Sequence, residues 1–368
     1  MSEAPPSAPI ASAFTVVPGA VVDERGLAHV AAPAREQREL VAGRALAPLE
    51  DRAVLAIDGV DRLSWLDSIT SQALTALAPG ASTELLVLDP QGHVEHAAAV
   101  VDDGVRTWLI VDRSRSAALL SWLSRMRFRL RVEPQDLSDE VRVIGGTSEA
   151  VAALEPLAVW RDPWPAVAVG GWGYAAAAPH PGESYDWAEA VVPVDAVSRL
   201  AEAAASGQQP IAGWMAVDAV RIAAWRPRAE TEADGRALPH EADWLRTAVH
   251  LDKGCYRGQE TVAKVHNLGH PPRRLVALQL DGSDADLPVG GAEVFLDDEV
   301  VGAVTSVARH YEEGPIALAY VKRTVPVDAD LTVAVDESRV AAAQEVIVPP
   351  DAGRTASIPR MPRLSRRR

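Results

Sequence analysis

The chain of 368 residues contains a single cysteine and only three phenylalanines. One cysteine excludes an intrachain disulfide framework and is typical of a reducing compartment. It also excludes an iron–sulfur cluster held by four thiolates of one chain. No apolar run is long enough to cross a bilayer. Because residues 1–13 lack the basic start and apolar run of a signal peptide, we expect a cytoplasmic protein.

Several sequence motifs of common enzyme classes are also missing. The chain has no Gly-x-x-x-x-Gly-Lys-Ser/Thr phosphate loop and no Gly-x-Ser-x-Gly nucleophile elbow. The glycine cluster at 170–173 lacks the strand–loop–helix spacing of a dinucleotide fingerprint. The pairs His93/His96 and His266/His270 do not have the ligand spacing of a zinc site, so no metal site is predicted.

The charge of the chain is strongly negative, with a formal net value of −15, although six arginines lie in the last fifteen residues. The rest of the chain is acidic and repels nucleic acid, so binding to a polyanion would depend on this tail alone. A short basic terminus is typical of a solvated, disordered end. We therefore expect neither strong direct nucleic-acid binding nor a membrane partner.

Hydrophobic patterning predicts the α+β fold class. A buried strand at 54–57 and a helix over 61–77 open a mixed unit, in which 128–132 alternates like a half-exposed strand. A second mixed unit ends with a helix over 241–250. Short strands between 275 and 335, separated by Gly, Pro and Asp turns, are typical of a β-barrel.

These patterns divide the chain into five segments. They are a flexible N-terminal segment (1–35), a first α+β domain (36–140), a second α+β domain (141–272), a C-terminal β-barrel (273–347) and a disordered basic tail (348–368).

The cysteine lies in the octapeptide Lys-Gly-Cys-Tyr-Arg-Gly-Gln-Glu at 253–260. A lysine near a thiol raises its thiolate fraction, so Lys253 favours a reactive Cys255. Gly254 and Gly258 allow a tight turn. If a helix follows, its amino end at Gln259 favours an anion, and Lys253 could attract a carboxylate. The alternative is a turn between two helices with a cysteine that fills the core.

Arg221 is a second candidate on a predicted helix, among apolar neighbours. An arginine there can hold a ligand carboxylate through two parallel hydrogen bonds. It can equally pair with Asp218, three residues earlier on the same helix. The sequence leaves both interpretations open.

The octapeptide closely resembles the signature of the YgfZ-type folate-binding proteins, which are relatives of the T-protein (aminomethyltransferase) of the glycine cleavage system. Further segments support this resemblance, among them Thr-Ser-Gln at 70–72 and Leu-Asp-Pro-Gln-Gly-His-Val at 88–94. The resemblance implies that the first α+β domain, 36–140, is of folate-binding type. The likeness extends over residues 36 to 345.

The resemblance implies a three-domain ring of two mixed α+β domains and a C-terminal β-barrel, with tetrahydrofolate or a derivative in the central opening. It implies a role in assembling or repairing iron–sulfur proteins, including enzymes that modify tRNA, with such proteins as partners. Cys255 would be the functional thiol. The residues expected near the cofactor are Arg221, Lys253, Gly254, Tyr256, Gly258, Gln259 and Glu260.

The sequence departs from the T-protein pattern at two places. Glu95-His96-Ala97 stands where T-proteins carry an Asp pair, and Ala223 and Trp225 stand where they carry Glu and Gly. We therefore expect an accessory factor more than a classical aminomethyltransferase. The alternative is a folate-dependent aminomethyl or one-carbon transferase in which Glu95 or Asp89 replaces the missing Asp. A third hypothesis is a scaffold without a small-molecule ligand.

Overall fold

The computed structural model describes residues 12–282 and 286–356. Within them lie the strands β1–β17 and the helices α1–α8, together with short 3₁₀ turns. Residues 1–11 and 357–368, which belong to the predicted N-terminal segment and basic tail, lie outside this description. No helix of the described part is long and apolar enough to span a membrane.

Much of the segment expected to be flexible is folded. A 3₁₀ turn at Ala13–Val16 precedes the antiparallel hairpin β1–β2 and helix α1. Phe14 and Leu27 are at most 1% exposed, and they join a core with strands of the second domain. The expectation of flexibility is corrected here for residues 12–35, because these apolar side chains are buried. The bounds are β1 Ala20–Asp23, β2 Gly26–Val30 and α1 Pro33–Val41.

The first domain is an antiparallel sheet in the order β5-β6-β7-β4-β8, with α2 and α3 on one face. Leu55 and Ile57 contact these helices, whereas Val54 and Ala56 point to the second domain. Both faces are buried, which explains the nearly continuous apolar strands. The bounds are β4 Arg52–Asp58, α2 Arg62–Ile69, β5 Ser82–Leu88, β6 Val94–Asp102, β7 Arg106–Asp112, α3 Arg113–Met126 and β8 Glu133–Asp136.

Two sequence predictions in this domain are wrong. The helix predicted over 61–77 ends at Ile69, because Thr70 is extended and the Asp67 carboxylate accepts the main-chain N–H of Leu74 at 2.7 Å. The strand predicted over 128–132 is an exposed turn with Phe128 in a left-handed conformation, and the strand follows it as β8.

The second domain is an antiparallel sheet in the order β10-β11-β9-β3. Strand β3 precedes the first domain in the chain and pairs with β9, so the two α+β domains are linked twice. Residues 162–187 run over the domain with one 3₁₀ turn and no strand. The bounds are β3 Ala47–Pro48, β9 Val141–Gly146, α4 Ser148–Ala152, β10 Ala158–Arg161, β11 Ala188–Pro193, α5 Val194–Ala205, α6 Trp214–Ala223, α7 Ala229–Glu232 and, after the cysteine, α8 Gln259–Leu268.

The C-terminal domain is a closed barrel in the order β12-β15-β14-β13-β16-β17, with β17 pairing back to β12. The structure thus confirms the predicted α+β fold with a C-terminal β-barrel. Residues 349–356 continue beyond the barrel, and the Thr355 hydroxyl donates to the carbonyl of His266 at 3.0 Å, which corrects the expectation of disorder for that part. The bounds are β12 Arg273–Leu280, β13 Glu293–Leu296, β14 Glu299–His310, β15 Gly314–Lys322, β16 Leu331–Val335 and β17 Ser338–Val346.

Side chains from all three domains meet in one apolar cluster, which includes Leu88, Ile222 and Leu318. The segment before the cysteine contributes much of it. The helix predicted over 241–250 is wrong: two 3₁₀ turns, Pro239–Ala242 and Trp244–Arg246, are separated by a residue with φ of +56°. That residue, Asp243, accepts the main-chain N–H of Tyr174 at 2.6 Å, so a tertiary contact interrupts the helical pattern.

Candidate functional site

Cys255 is exposed on the loop between the 3₁₀ turns and α8. The preceding Lys253 side chain is only 3% exposed. Its ammonium donates to the main-chain oxygens of Asp67, Thr70 (2.8 Å) and Gln72 (2.9 Å). A lysine has three donors, and all three are used here. Burial lowers the pKa of Lys253. The predicted attraction of a ligand carboxylate is therefore replaced by an anchoring role.

The loop is also fixed by close contact with the β5–β6 turn. Gly258 begins α8 with φ of +82°, and a Cβ there would lie 2.6 Å from the Asp89 carbonyl oxygen. Gly92, with φ of +85°, would meet the Thr261 side chain at 2.8 Å. These two glycines are required by backbone conformation and by space. Gly254 is different, because a Cβ there meets no atom within 4 Å.

Three segments that carry the family resemblance therefore come together in space. Besides accepting from Lys253, the segment at 70–72 contacts the chain just before the cysteine. The Ser71 hydroxyl donates to the Ala248 carbonyl at 2.5 Å, and the Gln72 amide donates to the Thr247 carbonyl at 2.8 Å. The sequence showed these segments as separate motifs; the structure makes them one support for the thiol loop.

The two carboxylates considered as replacements for the missing Asp are both paired. Glu95 accepts from the Arg257 guanidinium at 2.7 Å. Asp89 accepts the main-chain N–H of His93 at 2.8 Å and contacts its ring nitrogen at 2.9 Å. These hydrogen bonds lower the pKa of Asp89, although burial opposes the shift.

A cavity of about 310 Å³ lies between the 170–172 turn, the cysteine loop and α8. Of the predicted cofactor residues, Tyr256 and Gln259 line it, whereas Glu260 is exposed and does not. Tyr256 packs against the central apolar cluster, and burial raises the pKa of its phenol. The Lys253 ammonium lies 5.2 Å from the centre of the Tyr256 ring, a cation–π distance.

Two further lining residues were not predicted. The His266 ring contacts the Trp172 ring edge-on at 5.1 Å, and its Nδ1 lies 3.2 Å from the Tyr174 hydroxyl. Burial lowers the pKa of His266. The sequence contained one indication that His266 lies near Gln259: positions 259, 262, 263 and 266 are spaced to share one face of a helix. The described residues contain no group of three His, Cys, Asp or Glu side chains that could hold a metal ion.

Arg221 lies elsewhere, on the side of α6 that contacts the barrel, and is 5% exposed. Its Nε donates to Asp218 at 2.7 Å, and its Nη2 donates to the Ser306 hydroxyl at 2.8 Å. Asp218 also accepts from Arg25 at 2.7 Å, and these neighbouring guanidiniums hold the pKa of Asp218 well below its usual range. The pairing interpretation is confirmed, so Arg221 joins two domains.

Comparison with known proteins agrees with this architecture. Residues 273–350 match the glycine cleavage T-protein C-terminal barrel domain. The crystal structure of aminomethyltransferase T from Bartonella henselae superposes with a TM-score of 0.68, at 16% identity over 90% of each chain. The chain has the T-protein fold.

Two proteins of named function are similar to this chain in sequence. An aminomethyltransferase from Nostoc sp. is 27% identical over 284 residues, which are 72% of this chain and 73% of the relative. An iron–sulfur cluster assembly factor, the IBA57 homolog of Mycosarcoma maydis, is 26% identical over 250 residues, 63% of this chain and 56% of the relative.

Trp225 combines an unusual backbone conformation with a buried side chain. It adopts φ of +59°, although a bulky side chain in the left-handed region is strained. Its side chain is 6% exposed and packs in the central cluster, with the His180 ring 5.5 Å away. The resemblance placed a glycine of T-proteins here, so an indole fills space that a glycine would leave open.

Proposed function

We propose that this protein is a folate-binding accessory factor for the assembly or repair of iron–sulfur clusters, with Cys255 as its functional thiol. The observation that carries this proposal is an exposed cysteine on a loop held in place by Lys253 and Gly258. A cysteine that only fills space is usually buried. Here the thiol is exposed, whereas the Lys253 side chain that anchors its loop is only 3% exposed.

The chemistry of one thiolate limits what this site can do with a cluster. Iron–sulfur clusters are usually held by four cysteine thiolates, and this chain supplies one. A cluster in transit would therefore keep its remaining ligands from a client or carrier protein, which makes such proteins the expected partners. The similarity to an assembly factor supports this choice.

Transfer of an aminomethyl group is the second candidate, since other relatives are named aminomethyltransferases. That reaction would need a carboxylate free to contact the substrate amine. Glu95 is paired with Arg257, and Asp89 is paired with His93. These pairs favour the accessory role over the transferase.

The residues beside the thiol fit the folate that the fold family implies. The Tyr256 hydroxyl and the Gln259 amide line the cavity and have no hydrogen-bond partner among the described residues. When bound, tetrahydrofolate would supply a carrier for one-carbon units. The protein would supply the cavity wall and hydrogen bonds to the ring.

The proposal is tested in cells that lack this protein and receive either the wild type or Cys255→Ala. We expect the variant to leave the activity of a cluster-dependent enzyme at the level of the deficient cells, while its amount and circular dichroism match those of the wild type. Lys264→Ala, an exposed position on α8, is the matched control and should restore activity. Full restoration by Cys255→Ala would refute the proposal.

A further inference from the structure

The end of α3 and the turn after it carry alternating arginine and apolar side chains at 125–131, which we call the basic turn. Phe128 is 79% exposed, and Leu130 is exposed as well. Val60, on the loop before α2, is also exposed, and the glycine that precedes it packs against the main chain of the basic turn. Exposed apolar patches rimmed by polar groups mark interaction surfaces, so this end of the first domain is a candidate for one.

The basic turn is held in place by contacts within the chain. The Trp65 indole N–H donates to the Met126 carbonyl at 3.0 Å. The main-chain N–H of Arg131 donates to the Asp61 carboxylate at 2.9 Å, and its guanidinium donates there at 3.0 and 2.8 Å. Phe128 adopts φ of +47°, which is strained for a bulky side chain. A turn that only had to close would carry glycine or asparagine at this position, so closing the turn does not account for the exposed ring.

Three guanidiniums of the basic turn form no ion pair within the described residues: those of Arg125, Arg127 and Arg129. Arg125 donates to the Ser121 hydroxyl at 2.9 Å, whereas the other two have no side-chain hydrogen bond in that part of the chain. The exposed carboxylate that follows, Glu133, offsets one of these charges at most. The basic turn is therefore positive, although the formal net charge of the chain is −15.

Helix α2 connects the basic turn with the thiol loop. At its start Asp61 binds the basic turn, and at its other end the carbonyls of Asp67 and Thr70 accept from the Lys253 ammonium. The helix has eight residues and is therefore about 12 Å long. A standard protein–protein interface, roughly 800 Å² on each partner, is wide enough to cover both ends, and a small ligand is not.

We propose that the basic turn docks an acidic, partly apolar surface of the protein that gives or receives a cluster at Cys255. The role of that partner rests on the proposed function. Charge complementarity supports this occupant, and arginine and aromatic side chains are enriched in protein interfaces. Nucleic acid fits less well, because the turn offers one exposed ring for stacking and the rest of the chain is acidic.

Fluorescence anisotropy with the full chain and a labelled, acidic [2Fe–2S] apo-ferredoxin tests the docking surface. The double variant Arg127→Glu/Arg129→Glu reverses two charges without breaking an internal ion pair and should weaken binding at least about tenfold. Phe128→Ser should weaken it at least about threefold. Arg35→Glu/Arg161→Glu changes two exposed arginines elsewhere by the same charge and should bind like the wild type. Added salt should weaken binding of the wild type and of this control.

The outcomes separate the docking surface from the role of the thiol. Cys255→Ala should bind the probe like the wild type, because the thiol lies outside the basic turn. If the wild type does not bind the probe, or the arginine double variant binds it equally well, the inference is overturned, whereas the role of Cys255 is unaffected. If binding is as expected but Cys255→Ala fully restores cluster-enzyme activity in cells, the docking surface stands and the proposed function fails.

A second titration replaces the ferredoxin by a single-stranded uridine RNA. We expect the wild type to bind this RNA more weakly than the ferredoxin. If the arginine double variant loses RNA binding and keeps ferredoxin binding, the basic turn is a nucleic-acid site and the inference is overturned.

Discussion

Lys253 provides the most quantitative test of how the thiol loop is held. Lys253→Met keeps the length of the side chain and removes the ammonium. Three main-chain oxygens at the end of α2 and just beyond it, those of Asp67, Thr70 and Gln72, then lose their shared donor. The Lys253 side chain is 3% exposed, so water replaces the donor poorly.

The expected loss follows from the three hydrogen bonds. A hydrogen bond that involves a charged group contributes about 1.5–3 kcal/mol, and removing the buried ammonium regains part of its desolvation cost. We expect the free energy of unfolding to fall by about 3 kcal/mol. Lys253→Arg should restore less than half of this, because a planar guanidinium cannot direct its donors to three oxygens around one point.

Urea unfolding followed by tryptophan fluorescence measures this difference. The wild type, Lys253→Met and Lys253→Arg would be compared at one pH and one salt concentration. A change below about 0.5 kcal/mol for Lys253→Met, the range of an ordinary surface substitution, would refute the anchoring role.

Three other substitutions test neighbouring parts of the account. Gly258→Ala should lower the melting temperature, because backbone strain and the contact with Asp89 reduce the free energy of unfolding by about 2–4 kcal/mol. The control Gly254→Ala should change the free energy of unfolding by less than about 0.5 kcal/mol. Equal effects of the two substitutions would contradict the contact. Arg221→Met should lower the free energy of unfolding, measured by denaturant titration, by about 3–5 kcal/mol, because the buried carboxylates of Asp218 and Glu232 lose their partner. The affinity for tetrahydrofolate should stay unchanged. A loss of affinity without a loss of stability would favour a ligand role instead. Burial raises the pKa of Asp243 to about 7, so the folded state keeps a proton that the unfolded state has lost, and stability should fall as pH rises from about 4 to 7. Urea midpoints for Asp243→Asn should show a smaller fall over that window, and parallel curves would contradict this origin.

Local patterns predicted the parts of the fold that depend on neighbours in sequence. The buried strand at 54–57 followed from its apolar run, and the barrel strands followed from short apolar runs between turns. The glycines around Cys255 indicated a turn that presents the thiol, one of the two interpretations that the sequence left open, and the thiol is exposed. In each case the information lies within about ten residues.

Other features depend on contacts between distant segments, and the sequence pattern could not show them. The helical pattern over 241–250 is broken by Asp243, which bonds to Tyr174 across 69 positions. The role of Lys253 is set by carbonyl groups more than 180 positions earlier. Trp172 reaches the cavity from an irregular segment that has no periodicity to interpret.

The most direct test of the central claim is reconstitution of an apo iron–sulfur enzyme with ferrous iron and sulfide. We expect the wild-type protein to accelerate the return of enzyme activity and Cys255→Ala to give only the rate measured without added protein. Equal acceleration by the two proteins would contradict it.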